Sequence, residues 1–155
     1  KKVPETPKVR EYRDMEARKG VNEFGTWQNF AKRCEEHREK LVGILAEAKQ
    51  SGKNIVGWGA SARSSTMLNF CKIDSALLPA IIDMNPLKQG KFTAGSHIPI
   101  VGAEEGMARR PDTIFLAGWN FADEIMKIAR DKFGFRGDFI RPLPIEPRVI
   151  SQNAV

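Results

Sequence analysis

One six-residue stretch, Gly57-Trp58-Gly59-Ala60-Ser61-Ala62, limits the folds open to this chain more than any other. A short apolar run over residues 54–58, with Ile55 and Val56, stands before it. Residues 60–70 follow it and read as a helix with Met67, Leu68 and Phe70 on one side. Glycines between a strand and a helix in the order G-x-G-x-x-A mark the opening of a βαβ unit. The first permits a tight turn, the second lets a ligand phosphate approach the backbone, and the small third residue lets helix pack on strand.

The rest of the chain continues that alternation. Residues 26–50 carry Trp27, Phe30, Ala31, Cys34, Leu41, Ile44, Leu45 and Ala48 at helical spacing, with Thr26 as the expected N-cap and Gly52 as the stop. Strands are expected at residues 80–83, 113–117 and 138–140, the last ended by Pro142 and Pro144. Helices are expected at 103–109 and 121–133, and a long loop at 84–99. The fold class that results is α/β, a Rossmann-like three-layer domain with a mostly parallel sheet. Residues 1–22 are polar with Pro4 and Pro7 and read as a linker or N-terminal extension, with a short strand over 9–15. The domain proper spans 23–150, and 151–155 form a tail.

Composition narrows the function classes. Of 155 residues, 41% are hydrophobic and 28% charged, the balance of a globular chain and not of a disordered one. No apolar run has membrane-spanning length, and no secretory leader is visible behind Lys1-Lys2, so no membrane partner and a cytoplasmic location are expected. The chain lacks an initiating Met, which fits a piece of a longer protein. The net charge of +6 is interleaved with acidic residues, as in residues 32–40. Without a basic stripe or reader motif, nucleic acid is not expected as a partner. Cys34 and Cys71 are too few for a zinc site and fall at apolar helix positions, so no metal is expected.

Candidate site residues cluster around the turn. The N-terminus of the helix after Gly59 offers backbone N–H groups to an anion. Ser61 and Ser64 add hydroxyls there, and Arg63 adds charge. Asp83 closes the second strand roughly 20 residues on, where nicotinamide enzymes hold a ribose hydroxyl. The loop behind it brings Asn85, Lys88, Ser96 and His97, and Trp119-Asn120 follows the third strand at the same edge. The motif taken alone leaves a dinucleotide, another phosphate-bearing ligand, or no ligand open.

Five segments in fixed order carry a resemblance. They are Gly57-Trp58-Gly59-Ala60-Ser61-Ala62-Arg63, Thr66-Met67-Leu68-Asn69-Phe70-Cys71, residues 83–93 from Asp83-Met84-Asn85-Pro86, His97-Ile98-Pro99-Ile100, and Trp119-Asn120-Phe121-Ala122-Asp123-Glu124-Ile125. Over about residues 26–145 the chain resembles the C-terminal domain of S-adenosylmethionine (SAM)-dependent sugar C-methyltransferases, which methylate a carbon of a dTDP-linked keto-deoxysugar. Ala94 and Ser96 stand where that pattern has Pro and Thr, and Arg63 where Lys is common. The resemblance implies a three-part parent in which a zinc domain and a SAM-binding domain come first. It also implies that this domain binds no cofactor, has no catalytic residue and is inactive alone. Its expected ligand is a nucleotide-diphosphate sugar, held by Gly57, Gly59, Ala60, Ser61, Ala62, Arg63, Ser64, Asp83, Asn85, Lys88, Ser96, His97, Trp119 and Asn120. The competing expectations are an NAD(P)-binding oxidoreductase domain, favoured by Gly57, Gly59, Ala62 and Asp83, and a non-catalytic scaffold with an empty glycine turn.

Overall fold

Strands of this chain bury both faces, and their sequences show it: Ile55-Val56, Ile81-Ile82, Ile100-Val101, Ile114-Phe115 and Phe139-Ile140 put apolar side chains on both sides of the sheet. In the computed structural model, which describes residues 4–151, these runs become β1 (Ile55–Trp58), β2 (Ile81–Ile82), β3 (Ile100–Val101), β4 (Thr113–Phe115) and β5 (Asp138–Arg141). They form a sheet in the order β3-β2-β1-β4-β5 with every pairing parallel. A sixth strand, β6 (Arg148–Ile150), adds antiparallel to β5.

Helices cover both faces, as a parallel sheet requires. One core holds Leu41 and Leu45 of α2 (Phe24–Gln50), and Met67 and Leu68 of α3 (Ala62–Phe70), against Ile55, Ile81, Ile100, Phe115 and Ile140. The other holds Ala103 of α4 (Ala103–Ala108), and Ile125 and Ala129 of α5 (Ala122–Phe133), against Val56, Trp58, Ile82, Val101, Ile114 and Phe139. Strand residues alternate between the two cores with the period of two that a pleated strand imposes. The three-layer, mostly parallel α/β expectation is met.

Some local expectations fail. The strand expected over 9–15 is helix: α1 spans Pro7–Arg18, with Thr6 as N-cap, its Oγ1 accepting from the Val9 N–H, and Pro7 in the first turn. Proline supplies a helical φ there and costs no hydrogen bond, so Pro7 marks a helix start and not an irregular linker. Thr26 does not cap α2, which begins at Phe24. Two strands fall outside the expected set. β3 lies just past the expected loop, and β6 lies beyond Pro142 and Pro144. Residues 1–3, and all of the expected tail except Ser151, lie outside the described residues.

The chain divides into two compact units, residues 1–36 and 37–155. The sheet and both cores belong to the second. In the first, none of residues 4–36 is buried.

Candidate functional site

The strand order reverses between β1 and β4, and open α/β sheets hold ligands outside the carboxyl ends of their strands at such a switch point. A cleft of about 590 Å³ lies there. Its walls come from Trp58, Gly59 and residues 61–63 after β1, Asp83, Met84 and Lys88 after β2, residues 117–121 after β4, and Glu124, Ile125 and Ile128 of α5.

The turn after β1 is fixed by backbone crossing. Gly59 donates to the Ile82 carbonyl at 2.7 Å, and Gly118 donates to the Trp58 carbonyl at 2.8 Å. Gly59 has φ of +102°, and a Cβ on it would sit 2.7 Å from both the Cα and N of Gly118. Its lack of a side chain is therefore required by the β4 turn, whether or not a phosphate approaches. A Cβ on Gly57 would meet Ile81 and Leu78 at 3.0 Å, so the first glycine serves sheet packing. Ala62, expected to let the helix pack closely, is exposed at the cleft, and the buried small residues are Ala60 and Ser64.

Ser61 and Ser64 cap α3 together. Ser61 Oγ accepts from the Ser64 N–H at 3.1 Å, while Ser64 Oγ accepts from the Ser61 N–H and donates to the Ser61 carbonyl, each at 2.7 Å. This is a capping box. Ser64 is fully buried, and its hydroxyl is spent inside the turn. The N–H groups of Ala62 and Arg63, the first two helical residues, have no acceptor within the helix and stand at the cleft wall. Arg63 is exposed and makes no hydrogen bond or ion pair with the described residues.

The loop after β2 is fixed by side chains. Asp83 is nearly buried, and its Oδ1 accepts from the Asn85 N–H at 2.9 Å. Its Oδ2 takes Lys88 Nζ at 3.0 Å, and the same Nζ donates to the Ala60 carbonyl at 2.7 Å. Lys88 thus ties the loop to the glycine turn with its charge balanced by Asp83. Asn85 Oδ1 accepts from the Leu87 N–H within its own turn, and Gln89 Nε2 donates to the Asp83 carbonyl. Farther along, Asn69 of α3 donates to the Ala94 carbonyl at 2.9 Å, and Thr93 Oγ1 and Ser96 Oγ share a hydrogen bond at 2.7 Å.

Of the residues singled out from sequence, the cleft gathers Gly59, Ser61, Ala62, Arg63, Asp83, Lys88, Trp119 and Asn120. Gly57, Ala60 and Ser64 lie just behind it as framework. Asn85, Ser96 and His97 do not line it, and His97 is exposed at φ of +52° beside Phe92. Asn120 does not cap α5; it lies in a single 3-10 turn, Trp119–Phe121. Sequence reading missed Phe121, Glu124, Ile125 and Ile128. The signal was present in the helical spacing of Glu124, Ile125 and Ile128, which puts one face of α5 against the switch point, with Phe121 just before that helix. Among the described residues, no cluster of His, Cys, Asp and Glu is suited to a metal, and no helix is long and apolar enough to cross a membrane.

Comparison with known proteins adds two findings. A family model described as the C-methyltransferase C-terminal domain matches residues 1–144. The C-methyltransferase NovU of Streptomyces niveus is 35% identical over 148 residues, which cover 96% of this chain and 35% of that protein's length.

Proposed function

This chain belongs to the C-methyltransferase C-terminal domain family, and from that premise we propose that it forms the nucleotide-sugar side of a SAM-dependent sugar C-methyltransferase. In this reading the rest of a longer polypeptide holds SAM and carries the catalytic groups, and the 155 residues alone transfer no methyl group. The chain spans about a third of the curated relative it matches, which leaves room for such a partner domain. Both SAM and nucleotide sugars are cytoplasmic metabolites, and the reading places the protein there.

The observation that carries the proposal is the cleft at the β1–β4 switch point, where the free amides of Ala62 and Arg63 and the unpaired Arg63 guanidinium stand beside the rings of Trp119 and Phe121. A diphosphate suits the first group, since a helix N-terminus carries partial positive charge and arginine binds phosphate by paired donors. A nucleoside ring suits the second. Asp83, the residue that would hold a ribose hydroxyl of NAD, already accepts from Asn85 and Lys88, so in this reading it holds the loop. The scaffold reading draws on the Gly59–Gly118 crossing, which accounts for the glycine without any ligand.

Calorimetry on the full-length protein with a dTDP-sugar separates these readings. Arg63→Ala removes no hydrogen bond or ion pair among the described residues and is expected to weaken binding by about 1–3 kcal/mol while leaving stability unchanged. Wild-type affinity in that variant gives the scaffold reading precedence.

A further inference from the structure

The two helical segments of residues 4–36 have no core. Every large apolar side chain in them is at least partly open to solvent, and five are strongly so: Val9 at 49%, Tyr12 at 54%, Phe24 at 77%, Trp27 at 54% and Phe30 at 49%. Helices draw most of their stability from burying an apolar face, so α1 and the first turns of α2, whose apolar side chains are buried against nothing among the described residues, form a surface suited to a neighbour.

Three of the five form one face. Phe24, Trp27 and Phe30 recur at intervals of three along α2, and the rings of Trp27 and Phe30 meet edge to face at 6.0 Å. The indole N–H of Trp27 donates to the Val21 carbonyl at 2.7 Å. Its one polar group is thereby satisfied locally, the ring is held in place, and what remains outward is apolar. Rigid exposed aromatics with their polar atoms already paired are the groups that anchor protein interfaces.

Charge distinguishes among occupants. Residues 1–36 hold nine basic and seven acidic side chains, interleaved along the segment and close to balance. An anionic lipid surface or nucleic acid would call for an excess of basic residues here. An aromatic face among closely balanced charges suits a protein surface. The family's description as a C-terminal domain, and a relative of which this chain matches 35%, supply one of suitable size.

We propose that the aromatic face of Phe24, Trp27 and Phe30 is the docking surface for the part of the same polypeptide that precedes this domain. The proposal rests on the reading of the chain as one part of a longer methyltransferase and is independent of what the cleft binds.

Hydroxyl-radical footprinting, read by mass spectrometry without any ligand, compares the full-length protein with the 155-residue chain. The expected result is at least a several-fold drop in oxidation of Trp27, Phe24 and Phe30 in the full-length protein, at all protein concentrations. Equal oxidation in the two overturns the proposal. So does protection in the 155-residue chain that grows with its concentration, since the occupant is then a second copy. A double variant, Trp27→Ser with Phe30→Ser, supplies the second measurement. Because both side chains are about half exposed, the 155-residue chain is expected to keep its melting temperature, whereas the full-length protein melts lower. An unchanged full-length melting temperature counts against the proposal. A failure here leaves the Arg63 binding experiment untouched, and the reverse also holds.

Discussion

The turn after β1 and the loop after β2 reach the same edge of the sheet and share the cleft, yet they are held by different forces. At the first, two backbones cross so closely that a side chain on Gly59 would lie 2.7 Å from Gly118. At the second, a nearly buried carboxylate, Asp83, gathers Asn85 and Lys88, and Lys88 reaches back to Ala60. Backbone crossing tolerates no substitution, because nothing in it can rotate away. A side-chain clasp can be loosened in steps. Of the two cations that line the cleft, Lys88 is occupied by the clasp, and Arg63 beside the rigid turn makes no hydrogen bond or ion pair with the described residues.

The largest effect is expected from Gly59→Val. It combines a collision with the Gly118 backbone and a positive φ at a β-branched residue, and should cost more than about 3 kcal/mol of stability or prevent folding. Urea denaturation with circular dichroism measures it. A Gly59→Val chain that melts near wild type means that the crossing is soft and the contrast between the two turns is wrong.

Lys88→Met should follow, at about 1–3 kcal/mol, because it leaves Asp83 nearly buried without its cation. Adding Asp83→Asn to Lys88→Met removes the stranded charge and should restore part of the loss. A double-mutant cycle on the four proteins reads that coupling. Zero coupling means that the clasp contributes nothing and the loop is held by its backbone hydrogen bonds.

Ser64→Ala tests the rigid turn at its side-chain margin. It deletes the return half of the capping box and should cost about 0.5–2 kcal/mol. A loss larger than that of Lys88→Met would show that side chains govern this turn as well.

The smallest effect lies outside both turns and serves as their benchmark. Burial lowers the pKa of His37 from 6.5, with a hydrogen bond to the Ile145 backbone and the charge of Glu146 opposing, and its Nε2 is buried without a hydrogen-bond partner among the described residues. A depressed pKa means that the unfolded chain binds the proton more readily. Its contribution to stability is full above about pH 6.5, the ordinary histidine value, and declines as pH falls through that value. His37→Phe should flatten the fall in melting temperature between pH 7.5 and pH 5.5, and the same fall in wild type and variant would remove His37 as its source.

The amino-acid sequence by itself determined the layered α/β architecture and the position of the glycine turn. Apolar pairs such as Ile55-Val56 and Phe139-Ile140 have to bury both strand faces, and helices of period 3.6 have to cover them. It did not reveal β3, which follows Pro99 at the end of a glycine-containing loop, or β6, which follows Pro142, Pro144 and Pro147; both are seen only through their pairing with β2 and β5. It placed Gly59, Arg63, Asp83 and Trp119 at one edge, because each closes or follows a strand. Which of them stay free for a ligand was decided by the tertiary structure alone. The reach of Lys88 to the Ala60 carbonyl and the approach of Gly118 to Gly59 depend on distances between segments remote in sequence, and such distances are set only when the sheet assembles.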